Sequence, residues 1–225
     1  MEFLRERLAE LESRLERAAR RGGRRRDEIT LIAVTKVFPA EAIRAAYSLG
    51  IRDFGENYVQ ELERKLPEIG GLAGARFHLI GHLQSNKARR AAQLFDVIQT
   101  VDSARLARRL EEALAVLKPG GRAELMLEVK LSAEQAKSGA APDELAALVE
   151  AVRSCTHLEL TGLMTMPPWS EDAEASRPYF QRLRELAAAH GLPRLSMGMS
   201  QDFEVAIEEG ATHVRIGTAL FGPRI

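Results

Sequence analysis

Residues 196–222 read SMGMSQDFEVAIEEGATHVRIGTALFG. An apolar run closing at Met197 meets Gly198, Met199 and Ser200, and a helical stretch follows from Gln201 to Glu209. After Gly210 the pattern repeats, with an aliphatic run at His213–Ile216, a turn at Gly217 and Thr218, and a short helical segment at Thr218–Phe221. Strand, glycine turn and helix, taken twice, is the unit of a parallel sheet, because consecutive parallel strands need a crossover that lays a helix on one face.

The same alternation extends back to the N-terminus. Strand-like runs stand at Ile29–Thr35, Arg52–Phe54, Arg76–Ile80, Asp96–Val101, Ala123–Val129, His157–Met164 and Arg194–Met197. Helical patterns separate them at Pro39–Leu49, Tyr58–Leu66, Asn86–Leu94, Ser103–Leu117, Pro142–Arg153 and Glu174–His190. With His213–Ile216 this makes eight strands, which a closed barrel requires, whereas an open doubly wound sheet usually stops at about five to seven. Leu4, Leu8, Leu11 and Leu15 put one apolar stripe on an opening helix that Gly22 and Gly23 stop. No Pro/Gly/Ser-rich linker divides the chain. The expectation is an α/β protein, one (β/α)8 TIM barrel over residues 1–225 with an additional N-terminal helix.

Composition narrows the function. Acidic and basic residues balance at 32 each, so no bulk field draws the chain toward nucleic acid or anionic lipid. The local exception, Arg20, Arg21, Arg24, Arg25 and Arg26, carries no interleaved aromatics for base stacking and reads as a solvated loop. Cys155 is the only cysteine, which excludes an internal disulfide and fits a reducing compartment. The charged opening MEFLRERLAE and the lack of a long apolar run lead us to expect a cytoplasmic protein with no membrane or nucleic-acid partner. GxGxxG after the first strand, GxxxxGK[ST] and HExxH are missing. His78 and His82 are four apart, but on a strand and its turn, with no carboxylate in view to complete a metal site.

Three places carry chemistry. Ile32, Val34 and Lys36 share a strand parity, so a lumen-facing Val34 brings Lys36 to the lumen just past the strand end. Apolar walls there would favour a neutral, nucleophilic amine; a lysine that reaches the rim as a phosphate counter-charge is an equal reading. Ser200, read as the N-cap of the helix at Gln201, and the Gly217–Thr218 turn stand after strands seven and eight, where this fold recurrently binds phosphate at helix N-termini. Arg215 lies two residues before Gly217 on the same face, and a buried guanidinium needs a partner, either a carboxylate or a ligand acceptor. An aldehyde for Lys36, a phosphate for the cradle and a ring nitrogen for Arg215 together describe pyridoxal 5′-phosphate (PLP).

The segments LIAVTK (31–36), FGENYVQE (54–61), HLIGHLQSNK (78–87), KSG (137–139), GLMTM (162–166) and the run from Leu195 to Gly222 resemble the pyridoxal 5′-phosphate homeostasis protein family, similar in fold to the alanine racemase barrel domain. The resemblance implies a covalent aldimine on Lys36, with Asn57 near the ring oxygen and His82 and Met164 lining the ring pocket. It further implies that Ser200, Gly217 and Thr218 hold the phosphate, with Met199 contributing backbone, and that Arg215 meets the pyridine nitrogen. Two departures stand out: Val37 and Phe38 where the family often has a second lysine, and Lys130 where it has Asn.

Three functions follow: a PLP carrier or buffer, an amino-acid racemase-like enzyme, and an aldolase-type barrel using Lys36. Arginine cannot give up its proton, so a pyridine nitrogen facing Arg215 stays unprotonated and the ring is a poor electron sink. Racemisation would also need an acid on the opposite ring face. Tyr47, Tyr58 and Tyr179 all fall in predicted helices, and the sequence runs out at Ile225 directly after the eighth unit. The leading expectation is a monomeric, non-catalytic protein that supplies PLP to apo-enzymes.

Overall fold

The computed structural model describes residues 2–132 and 138–223. Helix α1 (Glu2–Arg21) precedes the alternation β1 (Thr30–Val34), α2 (Ala40–Ser48), β2 (Asp53–Glu56), α3 (Val59–Ile69), β3 (Arg76–Leu79), α4 (Ala88–Leu94), β4 (Val97–Val101) and α5 (Ala104–Leu117). It continues through β5 (Ala123–Glu128), α6 (Leu145–Arg153), β6 (Leu158–Met164), α7 (Arg177–Ala189), β7 (Arg194–Met199), α8 (Phe203–Glu208), β8 (His213–Ile216) and α9 (Thr218–Phe221). Neighbouring strands pair in parallel in chain order, and β8 closes on β1, so the sheet is the expected eight-stranded barrel.

Alternation along each strand divides the core in two. Leu31, Ala33, Phe54 and Phe77 face outward into the layer beneath the helices, which is the main apolar core. Gly55 lies on the other face, where an added Cβ would sit 2.9 Å from Ile80 and 3.0 Å from Ile32; these two isoleucines fill that part of the lumen.

Helix starts differ from the sequence reading. α4 is preceded by a 3₁₀ turn at Ser85–Lys87, and Ser85 caps neither segment. α6 begins at Leu145 rather than Pro142, and α7 at Arg177 behind a second 3₁₀ turn at Ala173–Ser176. A single tight turn and the first turn of a helix use the same residues, so the apolar period alone does not separate them.

α1 is not a detached amphipathic helix. It buries Leu4, Leu11 and Leu15 against α8 and α9. Arg14 pairs with Glu204 at 2.9 Å and Arg21 with Glu208 at 2.6 Å, both on α8, while Arg7 donates to the carbonyls of Thr218 and Ala219 on α9. The arginine run makes ion pairs within the chain, Arg20 with Glu16 and Arg25 with Asp27 on the exposed surface, Arg24 with Glu28, and Arg26 with both oxygens of Glu12. Among the described residues no helix is long and apolar enough to cross a membrane.

Candidate cofactor site

Barrel closure brings the two ends of the sequence together. β1 lies beside β8 with Ala33 opposite Ile216, and an added Cβ on Gly217 would touch Val34 at 3.7 Å. Lys36, half-buried in the turn after β1, therefore leaves its strand alongside the Gly217–Thr218 turn. Ile32 and Val34 are buried but stand outside the core layer that Leu31 and Ala33 join, in line with the parity that carries Lys36 toward the lumen.

The loop after β7 corrects one expectation. Ser200 does not cap α8. The helix begins at Phe203 behind Asp202, and the Ser200 hydroxyl accepts a hydrogen bond from Ala219 N–H at 3.2 Å, stitching the β7 loop to the first turn of α9. Asp202 organises this loop, accepting from Met199 N–H at 2.8 Å through Oδ1 and from the Ser176 hydroxyl at 2.8 Å through Oδ2. The Met199 N–H is thus committed within the protein. Gly198 makes the loop possible: its φ is +91°, and a Cβ there would lie 2.5 Å from Ala206 on α8. Thr218 is exposed at the start of α9, whose first N–H groups no intrahelical carbonyl can satisfy.

Arg215 is 3 % exposed, and within the protein its guanidinium bonds a hydroxyl and a carbonyl rather than a carboxylate. Nη1 donates to Ser196 Oγ at 2.7 Å and Nη2 to the Thr165 carbonyl at 2.9 Å. From there a chain of hydrogen bonds descends the barrel: Ser196 donates to Gln99 Oε1 at 2.6 Å, Gln99 Nε2 meets His78 Nδ1 at 3.0 Å, and His78 Nε2 meets Asp53 Oδ1 at 2.8 Å. The chain has one consistent polarity. Gln99 donates to Nδ1, so the His78 proton sits on Nε2 and points at Asp53. Burial is the largest single influence on the Asp53 carboxyl and pushes it up, but the bond from His78 together with the electrostatic pull of His78, Arg76 and His213 brings the net shift downward. Asp53 is the carboxylate that the sequence did not bring to His78. Burial lowers Arg215 to about 10, with Asp202 and Glu128 opposing the fall, so the guanidinium stays charged at neutral pH.

Glu128 is a residue the sequence reading missed. It is 2 % exposed at the end of β5, opposite Met164 on β6, and Oε2 has no hydrogen-bond partner. Burial first, then the charge of Asp102, pushes its pKa up to about 7 against the pull of Arg215. It lines a cavity of about 580 Å³ with Lys130, Met166, Trp169 and Met199. Its signal in the sequence was a carboxylate at the end of an otherwise apolar strand, ELMLE. Gln99 in VIQTV and Ser196 in RLSMGM gave the same kind of signal, a polar residue where the strand pattern calls for a lumen position.

The remaining candidates ring the mouth. Met164 is fully buried between Glu128 and Ser196 in register. Asn57 follows β2, and its backbone passes so close to Gly81 that a Cβ there would lie 2.3 Å from the Asn57 carbonyl oxygen, which fixes the two loops together. His82 stands at the rim, its side chain 53 % exposed and Nδ1 3.7 Å from Asp102. Tyr58 is not in a helix: it is the extended residue ahead of α3, 61 % exposed on the mouth loop beside Asn57. Trp169, on the loop leaving β6, is 77 % exposed at the edge of the Glu128 cavity. Lys137 of the KSG segment lies outside the described residues.

Comparison with known proteins agrees with this fold and gives the family. The family described as "Alanine racemase, N-terminal domain" matches residues 7–224. Proteins named "Pyridoxal phosphate homeostasis protein" are 45 % identical in Pseudomonas aeruginosa, covering 100 % of this chain and 97 % of that protein, and 42 % identical in Escherichia coli K12, covering 96 % and 95 %. The structure of PipY from Synechococcus elongatus PCC7942 with PLP bound is 40 % identical, covers 97 % of this chain and 100 % of that one, and superposes with a TM-score of 0.86. An alanine racemase from Clostridium difficile shares the fold at 14 % identity, with a TM-score of 0.73 over 100 % of this chain and 57 % of that one. At such identity over the length of both chains, this chain belongs to the pyridoxal phosphate homeostasis protein family.

Proposed function

We propose that the protein binds PLP at the mouth of the barrel, holds it as a Schiff base on Lys36 and supplies or buffers it for apo-enzymes in the cytoplasm. The single observation that carries this reading is the meeting of Lys36, the tied β7 and β8 loops and the charged Arg215 at one end of the barrel. The residues present fit the group. Arg215 has five N–H donors and two go to Ser196 and Thr165, so others can face a ring acceptor. Gly217 and Thr218 offer backbone to a phosphate, and Ser200 fixes the loop beside them. In this reading Asn57, His82 and Met164 wall the ring, and Met199 contributes shape rather than its committed N–H.

When bound, PLP supplies an aldehyde that captures amines and a ring that can accept electrons. The residues of this chain limit the second of these. Arg215 keeps its proton at neutral pH although burial lowers it to about 10, because Asp202 and Glu128 oppose the fall, so it cannot hand one to the pyridine nitrogen. The site is therefore suited to holding the cofactor more than to driving carbanion chemistry. We take residues 1–225 as one PLP-binding domain that acts as a monomer.

A racemase-like activity is the second reading, and Tyr58 is what favours it, because the structure places that phenol on the mouth loop. One experiment separates the two. The loaded protein is mixed with an apo-PLP enzyme while its own turnover of amino acids is followed. The carrier reading expects cofactor transfer, blocked after borohydride reduction, and negligible racemase, transaminase or decarboxylase rates. Robust turnover that tracks protein concentration and disappears in Lys36→Ala would establish the enzyme.

A further inference from the structure

The two neighbours of Lys36 are bonded to one buried charged cluster behind the barrel wall. The Thr35 hydroxyl donates to Glu56 Oε1 at 2.7 Å, and the Thr35 carbonyl accepts from Lys65 Nζ at 2.9 Å. On the other side of Lys36, Val37 N–H donates to Glu61 Oε1 at 2.5 Å. Lys65 Nζ joins the carboxylates, 2.7 Å from Glu56 Oε1 and 2.8 Å from Glu61 Oε1. Glu56, Glu61 and Lys65 are all buried. None of them faces the lumen: Glu56 shares its strand parity with Phe54 of the outer core, and Glu61 and Lys65 stand one turn apart on α3.

Two unfavourable features meet here. Val37 is the one non-glycine residue with positive φ among the described residues, at 62°. It is β-branched and 64 % exposed, so no packing of its side chain compensates the crowding. Burying two carboxylates and an ammonium is itself unfavourable unless the geometry is tightly satisfied. A fold that needed only to cover α3 would do so with apolar residues. Placed together, the cluster supplies what the turn lacks, a charge-assisted acceptor for Val37 N–H and a donor for the Thr35 carbonyl.

We propose that Glu56, Glu61 and Lys65 are positioning residues that hold the Thr35–Val37 turn, so that the Lys36 amine leaves β1 toward the Gly217 turn. They act through the backbone on either side of Lys36 and touch no cofactor. The inference rests on the reading of Lys36 as the cofactor lysine. It assigns to residues outside the barrel wall a part in the chemistry inside it.

The test uses purified full-length protein, PLP as the probe, stopped-flow absorbance for the rate of attachment, and mapping of the borohydride-reduced adduct. Glu61→Ala removes the acceptor for Val37 N–H and leaves Glu56 and Lys65 as a one-to-one pair. Attachment at Lys36 should slow by roughly 10- to 100-fold, the cost of a misplaced reacting group. Glu61→Gln keeps a carbonyl acceptor and should stay within about threefold of the parent. Val37→Gly in the Glu61→Ala background should recover most of the rate, because glycine takes positive φ without a steric cost. A cluster that only stabilises α3 predicts lower melting temperatures with the attachment rate unchanged and no recovery by glycine, and that result overturns the proposal. Should Glu61→Ala fail to fold, Glu61→Asp, which keeps the charge but cannot reach Val37, takes its place with the same expectation. Hydrogen exchange on the unmodified protein is decisive in parallel: the Val37 amide should be protected despite its exposed side chain, and fast exchange would mean that no clamp exists. Loss of any Lys36 adduct in the parent would sink the cofactor reading while leaving the amide result to judge the clamp.

Discussion

Glu128 is the residue whose behaviour is least expected from sequence and most easily measured. Its carboxyl titrates near about 7, pushed up by burial and by Asp102, so the folded chain holds that proton more tightly than the unfolded chain does. Stability linked to it is complete below the ordinary glutamate range and declines as pH rises from there to about 7, beyond which the loss is constant. Glu128→Gln should leave the ligand-free protein almost unchanged at about pH 4. At pH 8 it should stabilise by on the order of 1–3 kcal/mol, a rise of several degrees in melting temperature. Equal melting shifts at both pH values would show that Glu128 is ionised throughout. Arg215 gives a second expectation. Arg215→Glu should let the pyridine nitrogen take a proton, altering the visible absorption of the bound cofactor and opening slow side reactions with amino acids; an unchanged spectrum with PLP bound would mean that Arg215 does not touch the ring. The buried position of Arg215 was legible because strand parity reports which side chains face inward, and the Gly217 turn because it follows the eighth strand. Ser196 and Gln99, the residues that hold Arg215 through the lumen chain, were passed over because one polar residue in an apolar strand carries no information about its partner.

At the level of elements, α1 packs on α8 and α9, the two helices beside the proposed site. Its apolar stripe was plain in Leu4, Leu8, Leu11 and Leu15, but the target of that stripe lies about 200 residues away in sequence, on α8 and α9, and no local pattern names it. Arg7 donates to the carbonyls of Thr218 and Ala219, the first two residues of α9, where the proposed phosphate cradle lies. Arg7→Ala should loosen α9 and weaken PLP binding by about fivefold, the net value of one ordinary hydrogen bond. Pyridoxal, which lacks the phosphate, is the control and should bind with unchanged affinity; an equal loss for both ligands in equilibrium titrations would show that Arg7 acts on the whole fold instead. The misplaced cap at Ser200 has a physical reason at this scale too. Helix starts read from sequence drift by a residue or two, and here a drift of two hands the N-terminal position to Asp202 and frees Ser200 to bond Ala219.

Across the whole molecule, closure of the barrel does what no single segment can. It sets β1 against β8, brings Lys36 beside Gly217, and threads one hydrogen-bond chain from Asp53 at the start of β2 to Arg215 at the other end of β8. The number and order of the strands were legible because most read as short, largely buried apolar runs between helical periods, whereas β2, with Asp53 and Glu56 at its ends, runs two residues past the stretch read at Arg52–Phe54. The lumen chain and the cluster behind Lys36 were not, since polar contacts between strands far apart in sequence depend on register. The central claim is that this geometry makes Lys36 the cofactor lysine. Its most direct test is to load the protein with PLP, reduce with borohydride and map the modified residue by peptide mass. The account predicts one dominant adduct on Lys36, lost together with the visible absorbance in Lys36→Ala. An adduct found mainly on Lys87 or Lys137, or retained in Lys36→Ala, would contradict it.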